Sequence, residues 1–106
     1  MKAIRVHKAV SRAMKDLDIS TRNALLDLLA LLAKGMSLGM PVSRHMPSVA
    51  HGVHELRIKD RSGQYRVFYF TKHTDAVLVF HMFKKKTEAT PKEEISLGKK
   101  RLKEMI

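Results

Sequence analysis

The 106-residue chain contains no cysteine and no tryptophan, and only 10 of its residues are acidic. Without cysteine there is no disulfide, no thiolate zinc site and no thiol nucleophile, and the cytoplasm is the natural compartment. The apolar stretch at residues 24–33 is interrupted by Asp27 and falls well short of the roughly 20 residues a membrane-spanning helix requires. The N-terminal MKAIRVHKAV lacks the apolar core of a signal peptide. We therefore expect a soluble protein with no membrane partner. The six histidines show neither H-x-x-x-H nor H-E-x-x-H spacing, and no acidic cluster suggests a two-metal site. Also missing are a glycine-rich phosphate loop, a G-x-S-x-G elbow and a dinucleotide fingerprint. No metal and no cofactor is expected.

What the chain has in excess is positive charge, with 21 Lys and Arg and a formal net charge of +11. Residues 1–52 hold 8 basic and 3 acidic groups and residues 53–106 hold 13 and 7, so the charge is not a detachable arm. An anionic partner is expected, although no helix-turn-helix pattern points to direct operator binding. A composition that is 44% hydrophobic and 29% charged belongs to a folded protein, and 106 residues suffice for one core. We read residues 1–106 as a single domain.

Residues 3–7 alternate like a short edge strand, and Val10, Met14 and Leu17 then predict a helix over about 8–17. Ser20 or Thr21 is placed to cap a second helix containing ALLDLLALLAKG, with Gly35 just past its end. Leucines at 25, 26, 28, 29, 31 and 32 surround most of its circumference, as in a central core helix or one with a side reserved for a partner. Residues 35–52 read as a long surface connection. VHELRIKD, YRVFYF and AVLVFHMF form an antiparallel meander, with a bulge expected at the first turn, around Arg61-Ser62-Gly63. In TPKEEISLGKKRLKEMI, Thr90 is a candidate N-cap, Pro91 a first helical residue and Glu93 the end of a capping box. Ile95, Leu102 and Met105 give this helix an apolar side, while Gly98 weakens it by about 1 kcal/mol relative to Ala and favours fraying.

Strand alternation puts Arg57 and Lys59 on the face opposite the apolar Leu56 and Ile58, and puts Arg66 beside Phe68 and Phe70. An arginine among aromatics is costly unless it pairs with Glu55 or holds an anion. If Arg57, Lys59, Arg66 and Lys85 converge, they form a cationic pocket for a phosphodiester. Without metal ligands such a pocket suits RNA, whose 2′-hydroxyl supplies an internal nucleophile. Arg61, Lys84 and Lys86 are assigned to RNA binding with Lys59. His54 and His81 have the intrinsic pKa for acid–base chemistry.

Four spaced motifs carry a family resemblance: GVHELR at 52–57, YRVFY at 65–69, HMFKKKT at 81–87 and TPK at 90–92. With them, residues 48–105 resemble the RelE/ParE toxin superfamily of bacterial type II toxin–antitoxin modules, in its phage-derived, HigB-like branch. The resemblance implies an α+β, RelE-like fold: two N-terminal helices on a small, mainly antiparallel sheet of about four strands, plus a C-terminal helix. It implies a metal-independent endoribonuclease that cleaves mRNA in the ribosomal A site and arrests translation. Arg57 then matches a residue that activates the 2′-hydroxyl, Arg66 the one that stabilises the phosphate, and Lys85 lies near the one that assists the leaving group. Arginine is a poor base, so His54 and His81 remain alternatives for that role. The chain departs from the RelE pattern in having Glu55 at a basic position and Pro91 near the C-terminal tyrosine. A helix-turn-helix antitoxin is the implied partner, with DNA reached only through it. The superfamily also admits a ParE-like, non-enzymatic gyrase inhibitor, or an inactive prophage remnant that still binds antitoxin.

Overall fold

The computed structural model describes residues 1–86 and 89–106. In chain order it contains β1 (Ala3–Val6), α1 (Lys8–Lys15), α2 (Ile19–Ala33), β2 (Ser43–His45), β3 (Val53–Asp60), β4 (Gly63–Phe70), β5 (Ala76–Lys85) and α3 (Lys92–Met105). The strands form one sheet in the order β1-β5-β4-β3-β2, antiparallel except where β1 runs parallel to β5. The expected α+β arrangement is found, with β1 at an edge. The sheet has five strands rather than about four, because the connection at 35–52 contains the three-residue β2.

Alternation along the strands divides the core in two. Leu56, Ile58, Val67, Tyr69, Val77 and Val79 face α1 and α2, whereas Val53, Phe68, Leu78 and Phe80 face α3. Leu25, Leu29 and Leu32 bury one side of α2 against the sheet, while Ile19 and Leu26 stay exposed, so the leucine-rich helix is not covered all round. Asp18, rather than Ser20 or Thr21, caps it by accepting the Thr21 N–H at 2.7 Å. Gly35, at φ 89°, follows its end.

The β3–β4 turn is tight: Asp60 pairs with Gly63, and Arg61-Ser62 form the loop without a bulge. The irregularity lies further on, where Phe68 pairs with His81 but Tyr69 pairs with Val79. Phe80 is the extra residue, and both Phe80 and His81 consequently lie on the α3 side. Gly52 begins the GVHELR motif at φ 85°, with the Lys72 side chain packed where a Cβ would stand, so the motif needs glycine there.

Gly98 has a packing role that propensity alone does not show. A Cβ at this position would meet Phe68 Cδ2 at 2.9 Å, so glycine lets α3 settle directly on the sheet. The helix is docked through buried Leu102, with Ile95 and Met105 beside it. Its start also differs from expectation. Pro91 takes the cap position with no side-chain capping bond, and the Thr90 hydroxyl turns instead to Glu55. A following proline disfavours helical backbone at Thr90, which frees its side chain for that contact.

Candidate functional site

On the α3 side, beyond the Phe68 layer, the sheet changes from apolar to ionic. Glu55 on β3 is fully buried, and Arg66 on β4 is 4% exposed. Glu55 Oε1 lies 3.5 Å from Arg66 Nε, 3.7 Å from Arg57 Nε and 3.9 Å from Arg44 Nε. Its other oxygen, Oε2, accepts the Thr90 hydroxyl at 3.2 Å. The register explains the convergence: Arg44 stands opposite Glu55, and Arg57 stands opposite Arg66. One carboxylate thus sits among three guanidinium groups.

The three separations from Glu55 Oε1 to the arginine Nε atoms exceed ordinary hydrogen-bond length, so these three contacts are ionic. Among the described residues, Arg44 Nε and Arg57 Nε have no hydrogen bond. Both atoms are buried against the Glu55 carboxylate.

Lys85 completes the group from β5. Burial, followed by the charge of Arg66, lowers its pKa below the ordinary lysine value. Lys85 pairs with Gln64, and Phe83, the preceding residue on that face, pairs with Arg66 and packs edge-on against Phe68. A cleft of about 320 Å³ lined by Pro41, Val42, Arg57, Lys59 and Gln64 adjoins this surface.

The other sequence candidates separate. Lys59 is exposed on the cluster face, and Arg61 is exposed in the neighbouring turn. Lys84 belongs to the opposite face, its ammonium 5.8 Å from the centre of the Tyr65 ring and bonded to Ser62 Oγ. Lys86 is exposed at the end of β5, and Thr87, the close of its motif, is outside the described residues.

His54 also lies on the face opposite the cluster, stacked on Tyr69. His81 shares the α3 side but is engaged at both nitrogens. Arg101 Nη1 donates to Nδ1 at 2.8 Å, which fixes the ring proton on Nε2, from where it is donated to Glu94 Oε1 at 2.7 Å. Burial lowers the His81 pKa, and the Glu94 hydrogen bond opposes this only in part. In this arrangement His81 ties β5 to α3.

Sequence reasoning missed Arg44 and the diverted Thr90. Arg44 lies in an irregular stretch without alternation, and only the pairing of β2 with β3 reveals its neighbours. Thr90 was legible as a cap, and its actual partner is 35 residues away.

The sequence matches the family described as phage-derived protein Gp49-like (DUF891) over residues 12–103. The chain belongs to this family. The Gp49-like family is part of the RelE/ParE-like toxin group, in agreement with the α+β fold found here. The matched region takes in the whole cluster from Arg44 to Thr90, as well as His81, Glu94 and Arg101. No curated protein is similar enough to count as a match. Among the described residues no helix is long and apolar enough to cross a membrane, and no group of three His, Cys, Asp or Glu is arranged to hold a metal ion.

Proposed function

We propose that this Gp49-like protein is the toxin of a type II toxin–antitoxin module and cleaves mRNA on the ribosome. The observation that carries the reading is the gathering of Arg44, Arg57, Arg66 and Lys85 around buried Glu55 on one face of the sheet. A binding surface without chemistry has little use for so many cations in one place, since like charges brought together destabilise the fold. A phosphodiester entering its transition state gains negative charge, and preorganised cations stabilise that state more than the ground state.

In this proposal Arg57 orients the 2′-hydroxyl and Arg66 holds the phosphate. The 2′-hydroxyl gives up its proton to solvent water as its oxygen bonds to phosphorus and the bond to the 5′-oxygen breaks, and Lys85 gives its proton to that leaving oxygen. A lysine whose pKa is lowered by burial and neighbouring arginines parts with its proton more readily than an exposed one. Glu55 keeps the guanidinium groups from repelling one another. The chemistry uses RNA's own hydroxyl and needs no cofactor.

A helix-turn-helix antitoxin is the proposed partner. The apolar Ile19 and Leu26 on the outer side of α2 give it a surface to cover, and the net positive charge speeds its approach. The test is inducible expression. Wild-type protein should arrest growth, co-expression of the adjacent gene should relieve the arrest, and a folded Arg66→Ala protein should be harmless. Undiminished arrest by that variant would remove Arg66 from the mechanism.

A further inference from the structure

Arg44 and His45 are consecutive on the edge strand β2, and their side chains leave on opposite faces of the sheet. Arg44 belongs to the ionic cluster. His45 begins a second, separate group, with its ring centroid 4.4 Å from that of His54. His54 in turn stacks on Tyr69 at 5.2 Å and 17°. Tyr69 is fixed from behind, its hydroxyl sharing a 2.6 Å hydrogen bond with Ser43. The result is a row of rings anchored in the core, with His54 stacked on Tyr69 and His45 tilted at 43° to His54, open at the end where His45 is exposed.

Two clefts meet at this stack. One, of about 270 Å³, is lined by His54, Tyr69 and Lys2, and the other, of about 340 Å³, by His45, His54 and Lys72. Single-stranded nucleic acid is held by such pairings of ring faces for the bases with nearby cations for the backbone. Burial, and then the charges of His45 and Lys72, lower the His54 pKa, so its ring stays neutral at neutral pH and can present its face to a base. The cleavage chemistry proposed above uses none of these groups.

We propose that the His45–His54 pair is a second nucleotide subsite for single-stranded RNA, with a base stacked on the rings and its phosphate on Lys72. The strand reaches it by crossing the short β2 edge from Arg44. This subsite rests on the RNA reading of the ionic cluster and extends it to the other face of the sheet. Because β2 has only three residues, little backbone stands between the two groups.

The test uses the purified full-length protein and a short 2′-O-methyl RNA, which binds but lacks the hydroxyl needed for cleavage. Affinity is followed by fluorescence anisotropy, and the imidazole resonances of His45 and His54 by NMR. His45→Ala and His54→Ser should each weaken binding about 5-fold or more, while His54→Phe, which keeps a stacking face, should bind within about 2-fold of wild type. Both histidine resonances should shift on addition of RNA. If His54→Ser does not fold, His45→Ala on the exposed edge decides the matter. Wild-type affinity in the histidine variants, alongside a loss in Arg57→Ala, would overturn the subsite and leave the RNA reading standing. Failure of the wild-type protein to bind the RNA would overturn the subsite, while the cleavage reading is tested separately by growth arrest and its loss in Arg66→Ala.

Discussion

Arg57 on β3 and Arg66 on β4 face each other directly across the ladder. Like charges in that position repel, and the fold tolerates them because Glu55 lies within 3.7 Å of both Nε atoms. Glu55→Gln keeps the shape and removes the charge. Breaking a buried ion pair on one side typically costs about 3–5 kcal/mol, and we expect a loss of that order in urea unfolding. Adding Arg57→Gln should recover at least about 1 kcal/mol, because the repulsion is then relieved. A near-neutral Glu55→Gln would show that the carboxylate does not hold the cluster.

Gly98→Ala sets helix propensity against packing. Alanine favours the helix by about 1 kcal/mol, but its Cβ would press on the buried Phe68 ring, and overpacking costs about 1–3 kcal/mol. Thermal unfolding should show a lower Tm, by about 4 °C for each kcal/mol of net loss. An increase in Tm would mean that α3 can shift on the sheet without penalty.

Stability should fall as pH drops below neutrality. His81 and His54 both titrate below the ordinary value of 6.5 in the folded protein, each chiefly through burial. Around pH 6.5 the unfolded chain takes up protons that the folded chain refuses, so their contribution is complete above that pH and lost below it. The Glu104 carboxyl, lowered mainly by its hydrogen bond to His7, acts in the same direction but only as pH falls through about 4.5 and below. Urea midpoints at about pH 7.5 and pH 5.5 test the histidine window. His81→Gln should flatten the difference between them, whatever it does to the absolute stability. An unchanged slope would contradict the neutral His81 held between Glu94 and Arg101.

Lys85→Met should weaken single-stranded RNA binding mostly at low salt. Removing one phosphate contact should reduce the slope of log affinity against log salt by about 0.7. The same measurement on Lys84→Met, on the opposite face over Tyr65, should leave the slope closer to wild type. Equal effects would indicate a diffuse field in place of a defined contact.

The face of each β3 and β4 side chain could be read from the sequence, because Leu56 and Ile58 alternate with Arg57 and Lys59 without interruption. That period put Arg57 and Lys59 on one face of β3 and Arg66 beside Phe68 and Phe70 on β4, but whether those faces meet depends on the strand register, which sets Arg57 opposite Arg66. The three-residue β2 could not be read, since so short a strand has no period and takes its position from its partner. The β5 bulge was equally hidden, because an extra residue at Phe80 changes the phase without changing composition. Thr90 shows a different limit: its local pattern is that of a cap, and only the sheet brings Glu55 close enough to compete.

The central claim is that the ionic cluster cleaves RNA. Mapping the 5′ ends of cellular mRNA after brief induction of wild type and of Arg66→Ala tests it most directly. The account predicts new ends within translated frames for wild type and their loss in the folded variant. Growth arrest without such ends, accompanied by DNA damage, would contradict it and favour inhibition of gyrase.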